Sequence, residues 1–228
     1  MFLQHYNTII QAINLPVANL HFHEHIDPDD IRNTYHAFTR PHPRFRFIRA
    51  KTIGAALIDL TRFPNRDSYL EHVKAKNHGG YHAKRAKKRG YIFSDIDRNN
   101  YIDEIHAINT SLDQRQGRPM DARYLEKRDT FEQRAHFRYY GIFDPAQKLA
   151  AYANLGVYGN FAAYSHMLGI RNNDGIMHLL LVESICRLID ERQVRYVMYD
   201  TFFGARPGLR TFKSILGFQP YRARYTLQ

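Results

Sequence analysis

The last third of the chain, from Phe161 to Leu227, constrains the fold more tightly than any other part. Phe161-Ala-Ala-Tyr-Ser-His-Met-Leu-Gly-Ile170 has the composition of a half-buried strand. Arg171-Asn-Asn-Asp-Gly175 follows as a turn whose last residue tolerates positive φ. Leu179, Val182, Cys186 and Ile189 then recur at i, i+3, i+7 and i+10, the spacing of one helix face. Val194 to Tyr199 is a second strand, and Phe212-Lys-Ser-Ile-Leu-Gly-Phe218 is a short helix closed on a glycine. A strand that enters a helix through a polar, glycine-containing turn leaves the first N–H groups of that helix open to an anion.

The segments before it extend the same pattern. Phe137 to Phe143, the turn Asp144-Pro-Ala-Gln-Lys148 and Leu149 to Tyr158 form a hairpin, and Gly159-Asn160 is the next tight turn. Three antiparallel strands, a helix and a parallel return strand make a mixed sheet. Further upstream, Asp27-Pro-Asp-Asp30 starts a helix running toward Phe38, ended by Pro41-His-Pro43. Phe45, Phe47 and Ile53 to Leu60 read as a strand pair or as a bent strand broken at Gly54, and Asp67 caps a helix carrying Tyr69, Leu70 and Val73. That helix meets Gly79-Gly80 and resumes from Tyr81 to Arg89. Tyr91-Ile-Phe93 is a short strand, and Asn99 or Asn100 opens a helix with Ile102, Ile105 and Ile108 spaced by three. Residues 1–42 are read as an extension packed on a core domain of residues 43–228.

This order of elements resembles the acyl-donor half of the GNAT acyltransferase fold. Leu209-Arg-Thr-Phe-Lys-Ser-Ile-Leu-Gly-Phe-Gln-Pro220 is similar to the end of such domains and of the related FemAB-type aminoacyl transferases. The likeness covers roughly residues 90–228 and rests on element order. It implies an α/β fold with a mixed, mostly antiparallel twisted sheet flanked by helices. In GNAT enzymes that use CoA, the donor turn reads Gln or Arg, two residues, Gly, one residue, then Gly or Ala. Here Asn172-Asn-Asp-Gly175-Ile-Met177 keeps the central glycine but starts on Asn and ends on Met.

The resemblance implies an N-acyltransferase that moves an acyl group from acyl-CoA to an amine, with aminoacyl-tRNA as the alternative donor. Leu168, Gly169 and Ile170 would offer backbone groups to the donor arm. Arg171, Asn172, Asn173, Asp174, Gly175, Ile176 and Met177 would receive its phosphates. Tyr199, Asp200 and Tyr164 are the candidates for proton handling: a phenol can donate to the leaving group, and a carboxylate can receive the amine proton. The packing reading stays beside them, since most of sixteen tyrosines must be core residues with a hydrogen-bonded tip.

Charge points the same way. The net charge of +11 favours an anionic partner. Val73 to Ser94 holds no acidic residue, and Lys84, Arg85, Lys87, Lys88 and Arg89 crowd one short helix. That run either contacts tRNA or another polyanion or is a solvated face, and a non-catalytic nucleic-acid or anion-binding module would use the same helix. Arg115 and Arg118, in the polar loop Asp113 to Pro119, are candidates for binding an acidic or phosphorylated acceptor.

Other chemistries find little support. His21-Phe-His-Glu-His25 alternates imidazoles at a metal-binding spacing, but no second ligand cluster accompanies it, so a solvated strand edge is expected and no metal site. The single cysteine, Cys186, falls on an apolar helix face and excludes an intrachain disulfide. No apolar run is long enough to span a bilayer and no secretory signal is visible, so a cytoplasmic protein is expected.

Overall fold

The computed structural model describes residues 14–42, 48–112, 114–115, 118–203 and 205–228. The strand expected through Phe45 and Phe47 lies outside the described residues, as do Pro43, Asp113, Gln116, Gly117 and the N-terminal Met1 to Tyr6. In chain order the elements are β1 (Val17–Phe22), α1 (Pro28–Thr39), β2 (Ile53–Asp59), α2 (Arg66–His72) and α3 (Gly79–Lys88). Next come β3 (Ile92–Asp95), α4 (Ile102–Thr110), the two-residue strands β4 (Gln114–Arg115) and β5 (Arg118–Pro119), and α5 (Ala122–Leu125). The chain closes with β6 (Phe137–Phe143), β7 (Leu149–Val157), β8 (Phe161–Gly169), α6 (Ile176–Glu191), β9 (Tyr196–Thr201), α7 (Pro207–Ile215) and β10 (Gln219–Leu227). These elements make an α/β fold with an eight-stranded, mostly antiparallel sheet, as the order of elements in the sequence implies.

Two compact units alternate along the chain. One comprises the residues up to Thr61, Val157–Ala163 and Gln193–Gln228. Its strands run in the order β1, β10, β2, β9 and the head of β8. β1 pairs in parallel with β10 from Val17↔Arg222 to Phe22↔Leu227. β2 pairs antiparallel with both β10 and β9. The head of β8 pairs in parallel with β9 from Phe161↔Tyr196 to Ala163↔Met198.

Aromatic packing holds this unit together. The Phe22 ring is fully buried and lies 4.9 to 5.9 Å, centroid to centroid, from Phe161, Tyr35, Tyr158, Phe38 and Tyr225. The contacts with Tyr35, Phe38 and Phe161 are edge-to-face, a geometry that adds to the area they bury. His21, in the same strand, has Nδ1 2.7 Å from the Thr226 hydroxyl. α1 starts where expected: Asp27 accepts from the Asp30 N–H at 3.2 Å and Pro28 occupies the first position.

The other unit comprises Arg62–Gly156 and Tyr164–Arg192. Its strands run in the order β8 tail, β7, β6, β3, with β6 antiparallel to β7 and to β3. α6 carries the apolar face read from the sequence, and Leu179, Val182, Cys186 and Ile189 are all buried. The Cys186 thiol is pushed up to about 11 by burial and then by the nearby Glu183 charge, with Arg66 acting in the opposite direction. The cap of α2 is Asn65, not Asp67: its side chain accepts from the Ser68 N–H at 2.9 Å in a reciprocal capping box. Asp67 lies in the first turn instead. α3 begins at Gly79, two residues before the expected Tyr81. Asp97, accepting from the Asn99 N–H at 2.9 Å, starts a tight 3-10 turn that delays α4 to Ile102. No helix among the described residues is long and apolar enough to cross a membrane.

Replacing Phe22 with Ala should cost about 3–5 kcal/mol, because a fully buried ring with five aromatic neighbours leaves a cavity that cannot collapse. Urea unfolding should show a lower midpoint with an unchanged slope; an unchanged midpoint would remove the cluster from the core.

Candidate active site

The turn from Arg171 to Gly175 and the basic helix, separate features in the sequence, form one assembly in the second unit. Gly175 opens α6 with φ +89°, and a Cβ placed there would lie 2.6 Å from the His82 carbonyl oxygen of α3. Only glycine satisfies both the left-handed backbone and that approach. Arg85 donates to the Asn173 carbonyl, and Arg89 is ion-paired with Asp174. The Tyr91 hydroxyl donates to Asp174 Oδ2 at 2.7 Å and accepts from Asn172 Nδ2 at 3.2 Å. Burial, then the Asp174 carboxylate, pushes the Tyr91 phenol up.

α6 begins with no side-chain cap and no acidic residue in its first turn. Its N-terminal dipole end is therefore left to whatever approaches it. Arg171 is exposed beside the turn. The His178 ring lies 4.5 Å from that of His82. Burial, helped by His82 and Arg85, holds the His178 imidazole down to about 4, so it is neutral near pH 7.

The four cations of α3 and Arg89, its C-cap, divide by role. Arg85 and Arg89 brace the turn, and Lys87 pairs with Glu183 at 2.7 Å. Lys84 and Lys88 are exposed and make no ion pair among the described residues. The crowded charge is thus partly neutralised by the chain itself.

Other residues nominated for the donor sit less openly. Leu168 is buried in the core formed with Ile105, Ile108 and Tyr152. A Cβ on Gly169 would touch Met177 Sδ at 2.7 Å. The Ile170 N–H donates to the Ala150 carbonyl at 2.9 Å, so it is not open to a donor arm. The Tyr164 hydroxyl lies 2.6 Å from Ser184 Oγ, which itself donates to the Leu181 carbonyl, so the phenol is tied to α6. Arg115 and Arg118 are backbone register partners in the β4–β5 ladder.

Tyr199 and Asp200 end β9 in the first unit, and around them lies chemistry that sequence reading missed. Asp200 adopts φ +53°, a strained conformation for a residue with a side chain. Its carboxylate pairs with Lys51 Nζ at 2.9 Å and remains half exposed. Although burial works to raise it, Lys51 and then Lys213 hold the Asp200 carboxyl below the ordinary value. Lys213 is fully buried, donates to the Thr201 carbonyl at 2.7 Å, and stands 4.7 Å over the Tyr199 ring. Burial brings its ammonium down to about 8 against the pull of Asp200. A signal for Lys213 was present: it shares a helical face with Leu209, Phe212 and Leu216, a position where the pattern calls for an apolar side chain.

The second unit also contains a cavity of about 210 Å³ whose lining includes Arg98, His106, Asn109, Tyr124, Asn154 and His166. None of these was nominated from the sequence. Among the described residues no group of three His, Cys, Asp or Glu side chains is placed to hold a metal.

No family model and no curated protein sequence matches the chain. Solved structures do. FemX superposes with a TM-score of 0.54 at 11% identity, covering 74% of this chain and 59% of FemX. The L-PGS from Bacillus licheniformis gives 0.45 at 15% identity over 73% of this chain and 57% of that one. A tandem GNAT protein from the clavulanic acid biosynthesis pathway gives 0.46 at 20% identity over 74% and 50%. The chain thus spans less than two thirds of each of these proteins. With the strand order and the strand–turn–helix at Gly175, the superposition on FemX shows that this chain has a GNAT/FemAB-like fold.

Proposed function

We propose that the chain is an N-acyltransferase that passes an acyl group from an activated ester to an amine. The observation that carries this reading is the uncapped N-terminus of α6, opened by Gly175 and braced by Arg85, Arg89 and Tyr91. Both acyl-CoA and aminoacyl-tRNA carry phosphate groups, and a helix N-terminus binds phosphate through free N–H groups and its dipole. The brace matters because a preorganised turn spends no binding energy on ordering itself.

The chemistry assigned to the end of β9 follows from its charges. The acceptor amine attacks the ester carbonyl, forming a C–N bond and an oxyanion. Once bonded to that carbon, the nitrogen becomes acidic enough for a carboxylate to take its proton. Asp200, kept ionised by Lys51 and Lys213, has that role. Collapse of the intermediate breaks the bond to the carrier, and the Tyr199 phenol supplies the leaving group with a proton. Lys213 acts through Asp200 and through its bond to the Thr201 carbonyl, which fixes the strained end of the strand.

Acyl-CoA is the first choice of donor. A specific observation keeps aminoacyl-tRNA as the second: Lys84 and Lys88 lie exposed on the helix that braces the donor turn, where a longer polyanion would pass.

Three outcomes are expected. Asp200→Asn should lower kcat by about 10²-fold or more while leaving donor Kd unchanged; unaltered turnover in an acyl-transfer assay would remove Asp200 from the reaction. If the donor is tRNA, replacing Lys84 and Lys88 together with Gln should reduce the slope of log K against log salt by about 1–2. An unchanged slope would leave acyl-CoA as the donor. Lys213 sets a pH dependence. Its folded value, about 8, lies below the ordinary 10.5, so between those values the unfolded chain holds a proton that the folded chain has released. Stability contributed at this site should therefore rise with pH across that window and be absent below it. Urea unfolding of Lys213→Met across the same range should show a flatter profile than the parent; an identical rise would place its origin elsewhere.

A further inference from the structure

The cavity of the second unit contains a pattern that the acyl-transfer reading does not use. Two of its lining side chains are more than nine-tenths buried and incompletely bonded. Arg98 is 9% exposed and its Nε has no hydrogen-bond partner. Asn154 is 5% exposed and its Oδ1 has none either. A third orphan, His106 Nδ1, lines the same space. A buried polar atom without a partner costs free energy comparable to a lost hydrogen bond, and native proteins keep few of them. Three such atoms around one cavity demand polar partners from whatever fills it.

The orphans also define the ligand. Arg98 makes no ion pair among the described residues. Its guanidinium stacks over Tyr139 at 4.0 Å and Phe131 at 5.0 Å, and it donates to the Glu132 carbonyl. A buried guanidinium held rigidly and short of a counter-charge is built for a carboxylate. The nearby Glu132 carboxylate is itself taken by Arg134 at 3.1 Å, and Glu126 is exposed at the rim beside Arg128. Asn154 Oδ1 is an acceptor and demands an N–H or O–H. The neighbouring acceptor, Asn109 Oδ1, is already satisfied by the Tyr152 hydroxyl at 2.7 Å, so the demand stays at Asn154. Size sets the scale: 210 Å³ equals the liquid volume of roughly seven waters, enough for one amino-acid-sized molecule and too little for a nucleotide.

We propose that this cavity binds a small carboxylate that also carries a hydrogen-bond donor, an α-amino or α-hydroxy acid. Arg98 holds the carboxylate, and Asn154 Oδ1 takes the amine or hydroxyl proton. The site stands independently of the acyl-transfer reading, because its test needs neither donor nor turnover.

The probes are L-leucine, L-lysine and L-phenylalanine, their α-hydroxy analogues, and for each the matched amine without carboxylate and acid without α-donor. The readout is ligand-induced thermal stabilisation of the full chain. At least one amino or hydroxy acid should raise Tm, and removing either group from it should weaken binding about tenfold or more. Asn154→Leu supplies the decisive variant. Without ligand it should keep or raise Tm, since it replaces an unsatisfied acceptor by an apolar group of similar volume, and it should lose the ligand response. A clear fall in its unliganded Tm would make Asn154 structural and overturn the proposal. So would a retained ligand response in the variant, or a parent protein that responds to none of the probes.

Discussion

The left-handed opening of α6 at Gly175 is the constraint on which the second unit depends. Because that residue has no Cβ, the backbone of α3 comes into contact with the first turn of α6 at His82. Once there, α3 supplies Arg85 to the Asn173 carbonyl and Arg89 to Asp174, and Tyr91 just beyond it completes the bracket. Part of the positive charge that would repel itself along an isolated helix is instead consumed in fixing a turn. The same contact leaves His178 neutral and the end of α6 uncapped. Packing, charge placement and an exposed helix dipole thus follow from one missing methyl group.

The end of β9 works on a different principle. Lys51 and Lys213 surround a strained Asp200, one from a half-exposed position and the other from full burial. A buried ammonium is costly in apolar surroundings. Here part of that cost is offset by the carboxylate and by the Thr201 carbonyl, and the remainder shows as a lowered affinity for its proton. The strand therefore ends in a fixed dipole of side-chain charges, supplied by Lys51 from 149 positions upstream and by Lys213 from α7.

Much of the fold was legible in the chain because its signals are local. The period of Leu179, Val182, Cys186 and Ile189, the Asp27 cap and the hairpin around Asp144-Pro145 each depend on residues a few positions apart. Contacts across long separations were not legible. Nothing near Arg89 says that it will meet Asp174, 85 positions later, and nothing near Ile170 says that its N–H will be taken by Ala150. Asn65 outcompeted Asp67 as a cap because Ser68 could return the hydrogen bond, a reciprocity that one-residue preferences do not capture. The polar cavity was invisible for the same reason: Arg98, His106 and Asn154 are ordinary residues in three separate elements until β7 and α4 bring them to one space.

The lone cysteine gives the second unit a built-in reporter. Cys186 is fully buried on α6 and holds its proton far more tightly than a free thiol, so a thiol reagent meets neither an accessible sulfur nor a thiolate in the folded state. Alkylation must wait until α6 lifts from its neighbours. With no other sulfhydryl in the chain to compete, the rate of labelling becomes a direct reading of how often that helix opens.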